Sequence, residues 1–249
     1  MKKLYLLIFF IGFNAVQLWS QEKVTTVGIQ IKPIFTSRFF GTGPEEVSQN
    51  GFNYNISQST GFSGGLVIRK GYTKTLSLEF GINFSRRNIT MESLFNGQSS
   101  VAEMRIIGYE IPFSQLVFVR LSERIYMNVS AGLCINMFPS DVQTTNEVLY
   151  VVGGRKLIFN PSLIANVGFE YRTRDKGYFY LGTSLNRPFS PIYGLGINYI
   201  VNNDVINTVI TDLRGSYLTI DFRYFFHEDP ERKKAKLPSD KPRKPKQKK

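Results

Sequence analysis

Apolar and polar residues alternate in eight segments of the chain, and this pattern predicts eight β-strands. The segments lie near residues 24–36, 60–70, 74–88, 105–120, 125–137, 157–172, 177–187 and 216–226. In the third segment, Leu76, Leu78 and Phe80 alternate with Ser77 and Glu79. Because successive side chains of a strand point to opposite faces, each segment has one apolar face and one face rich in Gly, Ser and Asn. The pattern predicts an all-β antiparallel meander.

The connections between the predicted strands alternate in length. Short ones lie near 71–73, 121–124 and 173–176, and long ones near 38–58, 89–103, 138–156 and 188–215. Outer-membrane barrels have an even strand number, short periplasmic turns and longer outer loops. We therefore predict an eight-stranded antiparallel up-and-down transmembrane β-barrel over residues 21–227, with both termini periplasmic. In the last long connection, residues 198–213 are rich in β-branched residues, which predicts a hairpin extending strands seven and eight above the membrane.

Two soluble architectures, a β-sandwich and a lipocalin-like barrel, also contain eight alternating strands. Their polar face would carry many long charged side chains, whereas here it is mostly small residues, which suit a narrow lumen. Aromatic residues on the apolar face also cluster near the strand ends, as membrane girdles do. The predicted periplasmic row is Tyr171, Phe179, Tyr224 and Phe226, and the predicted outer row is Phe35, Phe84, Tyr109 and Phe159.

Ten charged residues share the polar face of the strands and are predicted to form a charge network in the lumen. They are Lys32, Arg69, Glu79, Arg87, Glu110, Arg120, Glu170, Arg172, Asp221 and Arg223. Unpaired charges in a tight interior are costly, so we expect them to pair across strands. Two interpretations stay open, a salt-bridge network that plugs the barrel and a path for ions or protons. The plug is favoured because eight strands leave room only for side chains.

The two ends of the chain differ from the barrel segment in composition. Residues 1–20 have Lys2 and Lys3 before an apolar run, which is typical of a secretory signal peptide. Residues 228–249 hold ten Lys/Arg and four Asp/Glu, and so contain half of the net charge of +12. This Lys- and Pro-rich tail is predicted to be disordered and periplasmic. We expect outer-membrane lipid and a protein partner, bound through the tail or the outer loops, and no nucleic acid.

Residues that could carry out catalysis or bind metal are few. Cys134 is the only cysteine and His227 the only histidine, which excludes an intramolecular disulfide and a Cys-His zinc site. A carboxylate site for a hard cation stays open. His227 follows the last strand at the periplasmic rim, away from any outer-leaflet substrate. We therefore predict a protein that is not an enzyme, with no catalytic residue, cofactor or metal.

The stretch Tyr109-Glu110-Ile111-Pro112, followed in the next predicted strand by Ala131-Gly132, carries a resemblance to a known family. It resembles the PorT-like small outer-membrane β-barrel proteins of Bacteroidota, in which a strand with Glu-Ile-Pro leads through a turn into a strand ending in Ala-Gly. The resemblance covers residues 105–135 as a motif, and Leu133 stands where the family usually has proline. It implies at most an accessory role in type IX protein secretion and gliding.

The same motif has a structural interpretation that does not depend on the family. Pro112 has no N–H for the strand ladder, so it predicts a bulge or another irregularity. Glu110 is predicted to face the lumen beside it. The leading functional hypothesis is a non-enzymatic accessory or scaffold protein of the outer membrane, with type IX secretion or surface assembly as the candidate process. The alternative is a narrow channel for ions or small solutes.

Overall fold

The computed structural model describes residues 25–73, 75–173, 176–202 and 204–227. The predicted signal peptide at 1–20 and the basic tail at 228–249 lie outside these residues. Within the described ranges, no helix has the length and apolar character needed to cross a membrane. The predicted all-β class is confirmed, but the predicted number of strands was wrong, because the described residues contain fourteen.

Besides one 3-10 turn at Arg38–Phe40, the described secondary structure consists of strands. In chain order they are β1 (Thr25–Phe35), β2 (Glu45–Gln49), β3 (Phe52–Gln58), β4 (Gly61–Gly71), β5 (Leu76–Phe95), β6 (Gln98–Arg120), β7 (Ile125–Met137), β8 (Val142–Thr145), β9 (Leu149–Arg155), β10 (Phe159–Arg172), β11 (Tyr178–Pro188), β12 (Tyr193–Val201), β13 (Asp204–Leu213) and β14 (Tyr217–Phe225).

Eight of these strands match the eight predicted segments, and each is hydrogen-bonded to two neighbours. The antiparallel pairing runs β1, β4, β5, β6, β7, β10, β11, β14, and β14 pairs again with β1. We call this arrangement the strand ring. The connections at one end of the strand ring are the three short ones that the sequence predicts.

The long connections contain strands rather than loops, which corrects the prediction for the first three, while in the last one a hairpin was predicted. β5 and β6 run far beyond the predicted ends at 88 and 105 and meet at Asn96 and Gly97. Both turn residues have positive φ, 48° and 78°, as a two-residue type I′ hairpin requires. The other three long connections contain β2 and β3, β8 and β9, and β12 and β13.

These additional strands form a β-sandwich at the long-connection end of the strand ring, which we call the cap. One of its sheets consists of β2, β3 and the outer parts of β5 and β6, and the other has the order β13-β12-β9-β8. The buried side chains between the two sheets are Phe52, Tyr54, Ile56, Ile89, Met91, Ala102, Met104, Ile106, Phe138, Leu149, Val151, Ile192, Tyr193, Leu195, Ile197, Tyr199, Val209 and Leu213. The cap therefore has its own apolar core.

The predicted hairpin in residues 198–213 is present as β12 and β13. It does not extend the seventh and eighth strands of the strand ring, as predicted, because β12 pairs with β9 in the second sheet of the cap. The chain leaves β11 at Pro188 and passes Pro191 before β12 begins, and Gly215, with φ of 72°, separates β13 from β14. Proline cannot donate to a ladder and a positive φ turns the chain, so both strand ends are fixed.

The same alternate residues of β5 point inward along the whole strand, but their chemistry changes from polar to apolar. In the strand ring the inward residues are polar, as at Glu79 and Asn83, and the outward ones apolar, as at Ile82. Beyond Arg87 the inward positions become apolar, as at Ile89, and the outward ones polar. The strand ring is thus polar inside and apolar outside, and the cap has the opposite arrangement.

Candidate functional site

The interior of the strand ring holds two groups of buried charges, and Glu110 lies in the one nearer the cap. Its side chain is 4% exposed. The carboxylate accepts a hydrogen bond from the Tyr217 hydroxyl at 2.6 Å, one from the Ser63 hydroxyl at 3.0 Å and one from the Arg87 guanidinium at 3.3 Å. These donors come from β14, β4 and β5, so the strand ring itself assembles the acceptor site.

Arg87 links this group to the cap. Its guanidinium donates to the Gly215 carbonyl at 3.1 Å and lies 4.4 Å from the centre of the Tyr217 ring. It also lies 5.5 Å from the ring of Phe138, which belongs to the cap core. Cation–π contacts of this kind are strongest where water is excluded. Arg87 therefore marks the boundary between the polar interior and the apolar core above it.

The second group of charges is a chain of alternating sign that crosses the interior nearer the short turns. Its order, from end to end, is Lys32, Asp221, Arg223, Glu79, Arg69, Glu170 and Arg172. The measured N–O distances include 2.6 Å for Arg223–Asp221, 3.1 Å for Arg69–Glu79, 2.5 Å for Arg69–Glu170 and 2.7 Å for Arg172–Glu170. The contacts connect β1, β14, β5, β4 and β10, so they tie opposite walls together.

The structure brings nine of the ten charges that the sequence singled out into these two groups. Arg120 is the exception and corrects that prediction. It is the last residue of β6, is exposed, and donates to the Ser122 carbonyl in the adjacent turn at 3.0 Å. Alternation predicts whether a side chain points inward only where both neighbouring strands are present. The ladder with β5 ends at Val117, so the alternation no longer determines the environment of Arg120.

Between the two groups of charges there is a cavity of about 40 Å³. Among the side chains around it are Asn83, Ser114 and Cys134. A cavity of this size holds only one or two water molecules. The Gln30 amide donates to Asn83 at 2.6 Å across the same level. Around this cavity the interior is therefore filled by side chains.

Neutral polar residues complete the network, and the sequence analysis did not single them out. Tyr217 accepts a hydrogen bond from the Asn186 amide at 3.0 Å while it donates to Glu110. The Asn136 amide donates to the Asn160 carbonyl at 3.0 Å and to the Ser162 hydroxyl at 2.9 Å. The sequence could have indicated them, because they occupy the same inward-facing alternate positions of their strands as the charged residues do.

The motif residues have separate structural roles. Tyr109 and Ile111 lie on the outward face, where the Tyr109 ring is 6.0 Å from that of Phe84. The β5–β6 ladder lacks the two pairs opposite Ile111 and Pro112, yet the register on both sides of this gap is the same. The predicted irregularity at Pro112 is therefore an interruption rather than a bulge. Gly132 lies so close to the Phe113 carbonyl on β6 that a side chain would not fit.

The cap closes directly over Arg87. The Tyr193 hydroxyl donates to the Ser140 carbonyl at 2.7 Å, and its ring meets that of Phe138 edge to face at 5.5 Å. Burial raises the pKa of the Tyr193 hydroxyl to about 12, so it is a hydrogen-bond donor at every physiological pH. This contact fixes the connection after β7 to the first residue of β12.

Metal-binding geometry is not found in the described ranges, where no three His, Cys, Asp or Glu side chains come together as a ligand set. The buried carboxylates of the strand ring are each in contact with a guanidinium or an ammonium group. His227 is exposed beyond β14, and Cys134 is buried in the interior.

Comparison with known proteins gives structural likenesses only. No family model and no curated protein matches the sequence. The structure is similar to that of the outer membrane protein OprG from Pseudomonas aeruginosa, with 12% identity, 83% of this chain and 98% of that chain covered, and a TM-score of 0.53. Weaker likenesses are to the outer membrane protease OmpT from Escherichia coli (8% identity, 84% and 97% covered, TM-score 0.42) and to Ail, the attachment invasion locus protein of Yersinia pestis (10%, 83% and 100%, 0.36). The likeness to OprG shows that the chain has the fold of an outer-membrane β-barrel protein.

Proposed function

We propose that the strand ring is a closed transmembrane barrel of a bacterial outer membrane, that it does not conduct, and that it anchors the cap on the outer side. The protein then acts as a non-enzymatic accessory or scaffold component, with the cap and the basic tail as its contact surfaces. The observation that carries this proposal is the double obstruction of the interior, first by paired charges and then by an apolar core.

The outward face of the strand ring supports a membrane location. Exposed apolar side chains cover it between two rows of aromatic rings, and we call this zone the apolar belt. The upper row is Phe62, Phe84 and Tyr109, with ring centres 5.9 and 6.0 Å apart. The lower row is Phe179, Tyr224 and Phe226, with ring centres 5.1 and 5.4 Å apart. Outer-membrane barrels have such girdles where the apolar belt meets water.

The obstruction supports a structural rather than a conducting role. An ion crossing the interior would have to displace buried guanidinium–carboxylate contacts, each of which is costly to break without a replacement. It would then meet Phe138, Ile192 and Tyr193, which are at most 1% exposed. We infer that the two barriers together leave no water-filled path for an ion.

Planar-bilayer recording tests the absence of conduction. We expect no stepwise current from the intact protein, and none from a variant with Arg69→Ala, Glu79→Ala and Arg223→Ala, because the apolar core of the cap still obstructs the interior when the middle of the alternating chain is removed. A heat-modifiable gel shift, retained by both proteins, serves as the control for folding. Steady current from the intact protein that changes with Glu110→Gln would overturn the proposal and favour the narrow channel.

Co-purification from detergent-solubilised outer membranes tests the scaffold role, with the intact chain compared with a version that ends at His227. A stoichiometric partner lost on truncation assigns the contact to the basic tail, and one retained assigns it to the cap or the barrel wall. Absence of a partner in both samples contradicts the scaffold role. The resemblance to PorT-like proteins makes components of type IX secretion or surface assembly the partners to look for.

A further inference from the structure

Two arginines, Arg86 and Arg105, lie on the outward face at the cap side of the upper aromatic row, with Arg86 level with Phe62 and Arg105 beyond it. Arg86 pairs across the ladder with Phe62 on one side and Ile107 on the other, both of which are exposed apolar residues. Arg105 pairs with Asn88, one row further from the belt. The two arginines are therefore diagonal neighbours on adjacent strands, with Cα atoms roughly 7–8 Å apart.

Neither guanidinium has a carboxylate partner. No ion pair within 4.0 Å involves Arg86 or Arg105 in the described residues. Arg86 donates one hydrogen bond, to the Asn88 side chain at 3.4 Å, and Arg105 is exposed. The acids on the same face, Glu92 and Glu103, lie further from the belt than the arginines do. A positive layer thus borders the apolar belt, and a negative layer follows it.

The sequence of apolar belt, positive layer and negative layer along the wall fits a phosphorylated lipid. A phosphorylated lipid presents apolar chains, then an anionic phosphate, along the same direction as the aromatic row and the arginines. Guanidinium groups bind phosphate through two parallel hydrogen bonds, and their apolar stems can lie along a hydrophobic surface while the charged end reaches the headgroup. A free phosphate ion would gain nothing from Phe84 and Tyr109, whereas the chains of a lipid would cover them.

We propose that Arg86 and Arg105 form a binding site for the phosphate of an outer-leaflet lipid, whose acyl chains lie against Phe62, Phe84 and Tyr109. This site rests on the proposed outer-membrane location. It assigns a specific lipid contact to the β5–β6 wall, at the level where the strand ring passes into the cap. The site would hold the cap at a fixed height above the membrane.

Native mass spectrometry of the full-length protein in neutral detergent tests the site, with bisphosphorylated lipid A as the probe. The double variant Arg86→Gln, Arg105→Gln is expected to bind at least about tenfold more weakly, the loss expected for one charge-assisted hydrogen bond of ordinary strength. The matched control is Arg120→Gln, Arg124→Gln, which removes two arginines at the opposite rim and should leave binding unchanged. Arg86→Lys, Arg105→Lys keeps the charge but loses the paired guanidinium donors, and its affinity should lie between those of the unaltered protein and the glutamine variant.

Three outcomes would overturn the site. They are equal binding of dephosphorylated lipid A, equal loss in the control variant, and competition by millimolar inorganic phosphate, which would assign the arginines to a free ion. Every variant must first show the heat-modifiable gel shift. Absence of that shift in the unaltered protein would instead contradict the proposed barrel, so the two failures are distinguishable. If the glutamine variant does not fold, the lysine variant with and without lipid phosphate decides the question.

Discussion

Glu110 shows how a charged residue can be required in an otherwise apolar strand. Tyr109 and Ile111 on either side point outward, and Glu110 points into the interior, where three hydrogen-bond donors meet it. A carboxylate that leaves water needs such partners to offset the cost of its desolvation. The same argument applies in reverse to Arg87, since Glu110 is its only ion-pair partner in the described residues.

Glu110→Ala should therefore destabilise the protein by about 3–5 kcal/mol, because it leaves the buried Arg87 guanidinium unpaired. Replacing both residues, with Arg87→Met and Glu110→Leu, should recover part of this loss. The measurement is urea-induced unfolding in lipid vesicles, followed by the heat-modifiable gel band. Glu123→Ala, at an exposed acid in the β6–β7 turn, is the control and should change stability by less than about 0.5 kcal/mol. Equal midpoints for Glu110→Ala and Glu123→Ala would contradict the role given to the ion pair.

Gly132 is required for a different reason, the close approach of two backbones. A Cβ at this position would collide with the Phe113 carbonyl and the Ser114 Cα atom, neither of which can move without disturbing the β6–β7 ladder. Gly132→Ala should destabilise the barrel by about 1–3 kcal/mol, the usual cost of overpacking. Gly154→Ala is the matched control, since a Cβ there meets no atom within 4 Å. Similar unfolding midpoints for the two variants would show that the wall relaxes around the added methyl group.

At the scale of the element, the outward face of β6 changes from apolar to charged along the strand. Its outward residues are Ile107, Tyr109 and Ile111 in the belt, and Glu103 and Arg105 beyond it. The ladder with β5 stays in register past this change, because Arg86 pairs with Ile107 and Asn88 with Arg105. The residue types on the outward face of the β5–β6 hairpin therefore show where the apolar belt ends.

Two substitutions on this face should separate the belt from the region beyond it. Ile111 and Val101 are on the same side of β6 and are 44% and 49% exposed. Ile111→Lys should cost about 2–4 kcal/mol, as a charge near the middle of the belt does, whereas Val101→Lys should have no measurable cost. Folding into vesicles at graded urea concentrations gives both values. An equally small effect at both positions would mean that Ile111 faces water, and it would contradict the membrane location.

The sequence alone predicts the strand ring but not the cap, and the β5–β6 hairpin shows why. The eight ring segments follow from the alternation, and so does the side on which Glu79 and Asp221 lie. The cap did not follow, because the apolar residues of β5 change sides between Phe84 and Ile89, and such a change ordinarily marks the end of a strand. The alternation continues, but the environment of each face reverses. The prediction for Arg120 was wrong for the opposite reason, because its place in the alternation is that of an inward residue but the strand ends there.

At the scale of the whole molecule, the barrel and the cap are two packed units that share β5 and β6. The barrel interior is held by ion pairs and hydrogen bonds, and the cap by apolar contacts, so the two should respond separately to a mutation in either core. Leu149 is fully buried in the cap and far from the short turns.

Leu149→Ala should cost about 2–5 kcal/mol within the cap, since it leaves a cavity in a packed core. We expect faster cleavage by an added protease within residues 142–155, and an unchanged heat-modifiable shift from the barrel. The control is Leu133→Ala on the outward face of β7, which is 55% exposed and should leave the cleavage rate unchanged. Loss of the gel shift in Leu149→Ala would show that the two units unfold together.

The route of the chain through the cap also sets an order of events in time. β9 and β12 are neighbours in one sheet, yet the β10–β11 hairpin of the barrel wall lies between them in the sequence. Pairing of residues distant in sequence is slow, and here it must wait until both wall strands have been placed. Pulse proteolysis during refolding should find residues 159–188 protected before residues 193–213. The charges inside would then find their partners while the mouth is still open to water, and the cap would close last.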